Sequence, residues 1–224
     1  MSEFGKLYGR RKGKKLRAHH AQLMADLLPQ VEIDIASGSV DPDVLFGPNR
    51  ATHLEIGFGD GARLIARAQQ APDVGFIGCE PFVNGVAKAL ARIEALGLRN
   101  VRLYADDARA FVQALPDAVL DLVEILYPDP WPKRRQRKRR LISDEFLTLL
   151  ARKMKPGARL RFATDADDYA GWTLARILRS ADFDWPAQRA ADWLTPWDGW
   201  ESTRYELKAR AAGRPSSYLT FVRK

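Results

Sequence analysis

From residue 51 onward the sequence repeats one pattern five times: a short apolar run, a turn, then a longer amphipathic stretch. The runs are Thr52–Ile56, Gly75–Cys79, Val101–Ala105, Asp121–Tyr127 and Arg159–Ala163. Each is short enough for a buried strand and bounded by turn residues. The helical stretches extend to about Gln70, from Pro81 to about Leu96, over Ala108–Leu115, from a Ser143 cap to Met154, and over Asp167–Ser180. Gly97 and Pro156-Gly157 supply stops. Strand-then-helix units with short links admit one economical solution, a right-handed, doubly wound, mostly parallel sheet. Residues 183–224 break the rhythm with four tryptophans and end on an alternating strand near Tyr218–Val222, expected as a cover and an edge strand. No composition shift divides the chain, so residues 18–224 are expected as a single α/β domain.

Upstream, residues 1–17 are basic and punctuated by glycine, and are expected as a flexible arm. His19–Leu28 is expected as a short helix stopped by Pro29, and residues 30–50 as an irregular lead-in. Basicity is concentrated rather than spread. Residues 1–20 hold seven Lys/Arg and one acid, and Lys133–Arg140 hold seven cations interrupted only by Gln136. The remaining residues carry 22 cations against 27 acids. Two basic blocks on an acidic body point to a localised polyanion site. The single cysteine, Cys79, excludes an internal disulfide and fits a reducing, cytoplasmic compartment. No run is long and apolar enough for a membrane span, and no secretory signal pattern opens the chain. The histidines show no spacing for a metal site, and His53, within a strand, is expected to be structural.

Two turns carry candidate chemistry. After the first strand, Gly57-Phe58-Gly59-Asp60-Gly61 can bring backbone close to a ligand. Gly57-x-Gly59-x-x-Ala62 fits a dinucleotide fingerprint, and Glu55-x-Gly57-x-Gly59-x-Gly61 resembles the motif of class I S-adenosylmethionine methyltransferases. Glu80, ending the second strand, is placed to grip a ribose diol under either reading. The further acids Glu55 and Asp106-Asp107 favour a cationic cofactor with a free amino group over an anionic diphosphate. After the fourth strand, Pro128-Asp129-Pro130-Trp131-Pro132 cannot continue a ladder or a helix, so a stiff loop presents Asp129 and Trp131 beside the second basic block.

These residues resemble a known family. Leu54–Gly59, Pro128–Lys133 with its basic tail, Ala163-Thr164-Asp165 and Thr203-Arg204-Tyr205-Glu206 together look like bacterial tRNA (guanine-N7)-methyltransferase, a class I S-adenosylmethionine-dependent family. Pro132 stands where a histidine is common, Arg204 for a lysine and Tyr205 for a phenylalanine. The resemblance implies a seven-stranded Rossmann-like sheet with an antiparallel C-terminal strand. It also implies S-adenosylmethionine as methyl donor and a variable-loop guanosine of tRNA as acceptor. It places Glu55, Gly57, Gly59, Glu80, Asp107 (or Asp106) and Asp129 at the cofactor, with Asp129 also the central active-site carboxylate. Lys133, Asp165, Thr203, Arg204, Tyr205 and Glu206 would meet the substrate nucleoside. The basic run is expected to hold phosphates. No membrane, metal or obligate protein partner is expected, and the chain is expected as a monomer or homodimer. An adenine amino-group methyltransferase and a non-catalytic RNA-binding module are the alternatives.

Overall fold

The computed structural model describes residues 8–37 and 40–224. Seven strands form one sheet: β1 (Thr52–Ile56), β2 (Gly75–Cys79), β3 (Val101–Tyr104), β4 (Leu120–Leu126), β5 (Met154–Thr164), β6 (Phe183–Asp184) and β7 (Ser217–Arg223). Their spatial order is β3-β2-β1-β4-β5-β7-β6. Strands β1 to β5 pair in parallel, and β7 runs antiparallel between β5 and β6. The order reverses between β1 and β4, which opens a crevice at their C-terminal ends.

Ten α-helices are described: α1 (Ala18–Asp26), α2 (Leu28–Val31), α3 (Pro42–Phe46), α4 (Ala62–Gln70), α5 (Val83–Leu96), α6 (Ala108–Ala114), α7 (Asp144–Lys153), α8 (Asp167–Ile177), α9 (Ala191–Leu194) and α10 (Arg204–Ala211). Ser143 accepts the Phe146 amide at 3.2 Å and caps α7, with Asp144 and Glu145 in its first turn. Three expectations are corrected. Pro29 opens α2 rather than ending α1, because a proline at the first turn lacks only an amide that would go unpaired anyway. The lead-in contains α3, started by Pro42 and capped by Asp41, which accepts the Asp43 amide at 3.0 Å. Pro156-Gly157 does not separate α7 from the fifth strand. Strand β5 already begins at Met154, and the pair sits at a register irregularity opposite Leu120–Leu122, where a bulge tolerates proline.

The two faces of the sheet differ. Leu54, Ile56, Val123, Ile125, Leu160 and Phe162 face α6, α7 and α8 in a continuous apolar core. On the opposite face, strand alternation lines up His53 and Glu55 of β1 with Glu124 of β4 and Arg161 of β5. A second apolar cluster covers β2 and β3 on that side, and Trp197 and Trp200 pack against Tyr218 of β7. The cover beyond residue 183 thus packs its tryptophans as expected, but the C-terminal strand is not the expected edge strand, because β7 is paired on both sides, by β5 and by β6.

Residues 1–7 of the expected arm lie outside the described residues. Residues 8–17 are seated on the fold. Arg11 carbonyl accepts the otherwise unpaired Val83 amide at the start of α5 (2.9 Å), and Asn84 bonds both the Gly13 amide and the Lys14 carbonyl at 2.7 Å.

Candidate active site

The crevice is a cleft of about 220 Å³. Its floor is Glu55 and the glycine loop, one wall is the start of α5, and the other is Glu201–Tyr205 leading into α10. Gly57 and Gly59 adopt φ of 80° and 61°, and the space beside each α-carbon is open. Both need glycine for conformation, and their bare edges form a cradle toward the cleft. Gly85, a residue not singled out from sequence, is required for packing. A side chain there would strike the Gly59 carbonyl at 2.2 Å, so helix α5 and the loop close on each other only through glycine.

Glu80 accepts the amides of Gly59 (2.8 Å) and Phe82 (2.9 Å), which ties the end of β2 to the loop. Burial pushes its carboxyl up, and the two amides oppose the shift. Glu55 is 5% exposed, and its Oε2 is buried with no hydrogen-bond partner among the described residues. Burial, followed by the charge of Glu124, raises it to about 7. A buried, unsatisfied acceptor at the floor of a cleft calls for a donor from a ligand.

Beside it lies an ionic layer with no counterpart in the expectations. Glu124 is 1% exposed and receives Arg63 (3.0 Å), Arg67 and Arg161 (3.4 Å). Burial pushes its carboxyl up, but the three guanidiniums outweigh this and hold it below the usual range. Arg67 also donates to His53 Nδ1 at 3.1 Å, and burial with that positive charge lowers His53 to about 4. His53 is therefore a neutral acceptor, structural as expected. The sequence did hold a signal for this layer. Glu124 breaks an apolar strand as Glu55 does, and Arg63 and Arg67 lie four apart on one helix face.

At the end of β3, Asp107 caps α6 by accepting the Arg109 amide (3.1 Å) and pairs with the Arg109 guanidinium (2.6 Å). Asp106 pairs with Arg11 of the N-terminal segment at 2.9 Å. Neither acid is among the residues lining the cleft, and each has a protein cation in place.

The Pro-Asp-Pro-Trp loop holds Asp129 between two strained aromatics. Tyr127 (φ 50°) and Trp131 (φ 42°) both occupy the left-handed region, which costs an L-residue on the order of 1–2 kcal/mol. The surroundings enforce it. The Tyr127 amide donates to the Ala163 carbonyl (2.7 Å), and its hydroxyl donates to Ser216 Oγ (2.9 Å). The Arg139 guanidinium stacks 4.9 Å above Trp131 and 4.6 Å above Tyr8, and Trp131 is partly buried. Asp129 is not among the residues lining the cleft, and partial burial raises its carboxyl above the ordinary value.

Two expectations about substrate contact are corrected. The basic run is not uniformly a phosphate surface. Arg140 is buried, with Nε on the Pro130 carbonyl (2.8 Å), Nη2 on Asp168 and its plane over Tyr169 and Trp172. Arg137 pairs with the same Asp168 at 2.7 Å. Those two cations brace the loop, while Lys133, Arg134, Arg135 and Lys138 are exposed. Glu206 does not line the cleft. It is fully buried and accepts from Trp200 (2.6 Å), Arg210 and Tyr218 (both 2.5 Å). Thr203 caps α10 by accepting the Glu206 amide at 3.1 Å, which leaves Thr203, Arg204 and Tyr205 on the cleft wall. Asp165, at the end of β5, pairs with Arg214 at 2.8 Å.

A glycine cradle, an acid at the end of β2 and a loop acid after β4, on a sheet of this order, define a Rossmann-like methyltransferase. Solved structures with the same fold include the 16S rRNA methyltransferase KamB. It aligns with a TM-score of 0.60 at 18% identity, over 81% of this chain and 92% of that one. The 16S rRNA (adenine(1408)-N(1))-methyltransferase from Catenulisporales acidiphilia aligns at 0.57 and 18%, over 85% and 94%. The family model described as "Putative methyltransferase" matches residues 49–219. Sequence relatives are far nearer. A tRNA (guanine-N(7)-)-methyltransferase from Rhodopseudomonas palustris (strain BisA53) is 50% identical over 98% of this chain and 88% of its own length. One from Rhizobium etli is 51% identical over 96% and 94%. The chain belongs to the tRNA (guanine-N(7)-)-methyltransferase family.

Proposed function

We propose that the chain transfers a methyl group from S-adenosylmethionine to N7 of the variable-loop guanosine of tRNA, leaving 7-methylguanosine. The observation that carries this reading is the roughly half identity, across nearly the whole chain, to relatives bearing that name. The cleft agrees with it. S-adenosylmethionine, when bound, supplies an electrophilic methyl on a positively charged sulfur. Glu55, the Gly57–Gly59 cradle and Glu80 suit it through one buried unsatisfied acceptor, an open backbone edge and an acid at the ribose position. Asp106 or Asp107 would meet the adenine.

Guanine N7 carries an in-plane lone pair and no proton to lose, so the residues here need not act as a general base. Their work is alignment and charge compensation. Asp129, held by the strained loop, accepts from the N–H edge of the guanine and faces the positive charge that grows on the purine. Lys133, Asp165 and the Thr203–Tyr205 wall position the nucleoside, while Arg134, Arg135 and Lys138 meet phosphates. A tRNA substrate supports a cytoplasmic location for the chain.

The test is methyl transfer to bulk tRNA with isotopically labelled S-adenosylmethionine, followed by digestion and mass identification of the nucleoside. Label in 7-methylguanosine, lost when the variable-loop guanosine is replaced, is expected. Label in methyladenosine, or none despite tRNA binding, overturns the reading. Asp129→Asn should slow single-turnover methyl transfer with little change in tRNA affinity, and an intact rate would remove Asp129 from this role.

A further inference from the structure

The Asp129 loop, the Asp165 turn and the Thr203–Tyr205 wall all start from one buried knot of hydroxyl groups. Tyr127, two residues before Asp129, has a φ of 50°, which an L-residue adopts only where its surroundings impose it. Its amide is held by the Ala163 carbonyl at 2.7 Å, and Ala163 lies two residues before Asp165. Its hydroxyl bonds Ser216 Oγ at 2.9 Å and also meets the Tyr218 hydroxyl. Tyr218 in turn donates to Glu206 Oε1 at 2.5 Å, and the Glu206 amide donates to Thr203 Oγ1 at 3.1 Å.

Tyr218 touches each branch of this knot. It is 2% exposed, stands opposite Ala163 in the register of β5 with β7, and packs edge-on against Trp197 and Trp200. The ring therefore belongs to the core that closes β7 on β5. The hydroxyl is not needed for that packing, nor to satisfy its neighbours. Glu206 keeps Trp200 and Arg210 as donors, and Tyr127 keeps Ser216. What the hydroxyl adds is a bridge. It joins the residue that launches the Asp129 loop to the residue that anchors α10 behind the cleft wall.

We propose that Tyr218 is a positioning residue for methyl transfer, its hydroxyl fixing the Asp129 loop against the Thr203–Tyr205 wall so that both meet one guanine. The proposal rests on the methyltransferase reading above. Attack by N7 on the methyl group needs close alignment, and a misplacement of about 1 Å can cost on the order of a hundredfold in rate. Relaxation of Tyr127 from its left-handed conformation would swing Asp129, two peptide units on, away from the wall.

Single-turnover methyl transfer to tRNA, at saturating protein and S-adenosylmethionine, reads the step that this register controls. Tyr218→Phe keeps the ring and removes the bridge. It should slow that rate by roughly 10- to 100-fold, with affinities for tRNA and S-adenosylhomocysteine within about twofold of wild type. One lost hydrogen bond should lower Tm by about 2–4 °C. In an Asp129→Asn background the same change should slow transfer by less than about threefold, because the carboxylate it positions is already gone. Thr220→Val is the control. It removes the 2.7 Å bond from Trp197 Nε1 in the same tryptophan cluster, and should lower Tm comparably while leaving the rate unchanged. If Tyr218→Phe does not fold, Ser216→Ala loosens the Tyr127 hydroxyl from its other side and should slow transfer by roughly fivefold. An unchanged rate in Tyr218→Phe, or in Ser216→Ala where that variant stands in, overturns the proposal. So does a loss carried by tRNA affinity, an equal slowing in the Asp129→Asn background, or an equal slowing by Thr220→Val. A wild type that transfers no methyl group to guanosine N7 overturns the methyltransferase reading and the proposal with it.

Discussion

Glu55→Gln should gain stability relative to the parent as pH rises through neutrality while disabling cofactor binding, and the structure gives the size of the effect. The carboxyl titrates near 4.5 in an unfolded chain and at about 7 in the fold, where burial comes first among the causes and the neighbouring Glu124 charge second. Between those values the unfolded chain releases a proton that the folded chain retains. Raising the pH through this window therefore favours unfolding. A difference of about 2.5 units at 1.36 kcal/mol each amounts to roughly 3 kcal/mol, accumulated by pH 8 and constant above it. Glutamine cannot ionise, so the variant escapes this loss. Its amide leaves its own unmet donors, which shifts the variant's stability by an amount independent of pH. The diagnostic is thus the change in the gap between variant and parent, not the gap itself. Urea unfolding of both proteins at pH 4 and pH 8 should show the gap moving in the variant's favour by roughly 3 kcal/mol, or about 6–12 °C in Tm. A gap that stays constant with pH, or moves toward the parent, refutes the reasoning. The same variant should lose S-adenosylhomocysteine affinity, a trade of function against stability at one carboxyl.

Arg140→Met removes a buried guanidinium from Pro130, Asp168, Tyr169 and Trp172, and should cost roughly 3 kcal/mol in chemical denaturation while slowing methyl transfer through the displaced Asp129 loop. Arg135→Ala, on the exposed side of the same run, should leave stability within about 0.5 kcal/mol and lower the slope of log affinity for tRNA against log salt by about one. If Arg140→Met melts like the parent and changes only the salt slope, the division of the basic run is wrong. Glu206→Gln takes the charge from a carboxylate holding Trp200, Arg210 and Tyr218, and should cost about 2–3 kcal/mol and alter the near-ultraviolet dichroism of the tryptophans. A variant with an unchanged melt and spectrum but a raised KM for tRNA would restore Glu206 to direct substrate contact.

The parts of the fold legible in the sequence were those written in periodicity and punctuation. Five strands with their helices could be placed because apolar runs alternate with amphipathic stretches and glycines mark the turns. Prolines were harder, since the residue has opposite meanings by position. Pro29 and Pro42 open helices, and Pro156 sits at a bulge inside a strand, although each looks like a stop. At the site, acids at strand ends were visible because topology alone carries them to the crevice. Which member of a charge run is buried was not visible, because the answer lies at long range. Arg140 is internal on account of Asp168 and Trp172, nearly thirty and just over thirty residues away. Glu206 was misplaced for the same reason: its partners Trp200 and Tyr218 meet only when β7 closes against β5.

The ionic layer explains why the cleft floor stays ready for a charged ligand. Replacing a buried ion cluster by apolar residues is often neutral or stabilising, so Glu124 and its three arginines are poor evidence for stability as such. Their arithmetic is more telling. One carboxylate among three guanidiniums leaves an excess of two positive charges below the glycine loop, and Glu55, at about 7, only partly offsets it at neutral pH. Trp200 and Trp197 face Arg63 and Arg161 with their rings and take up some of that charge without neutralising it. The opposite face of the sheet, apolar throughout its core, supplies the rigidity that keeps this layer from relaxing. The cleft can therefore hold its charges in place before the ligand arrives, which is the condition for spending binding energy on alignment rather than on reorganisation.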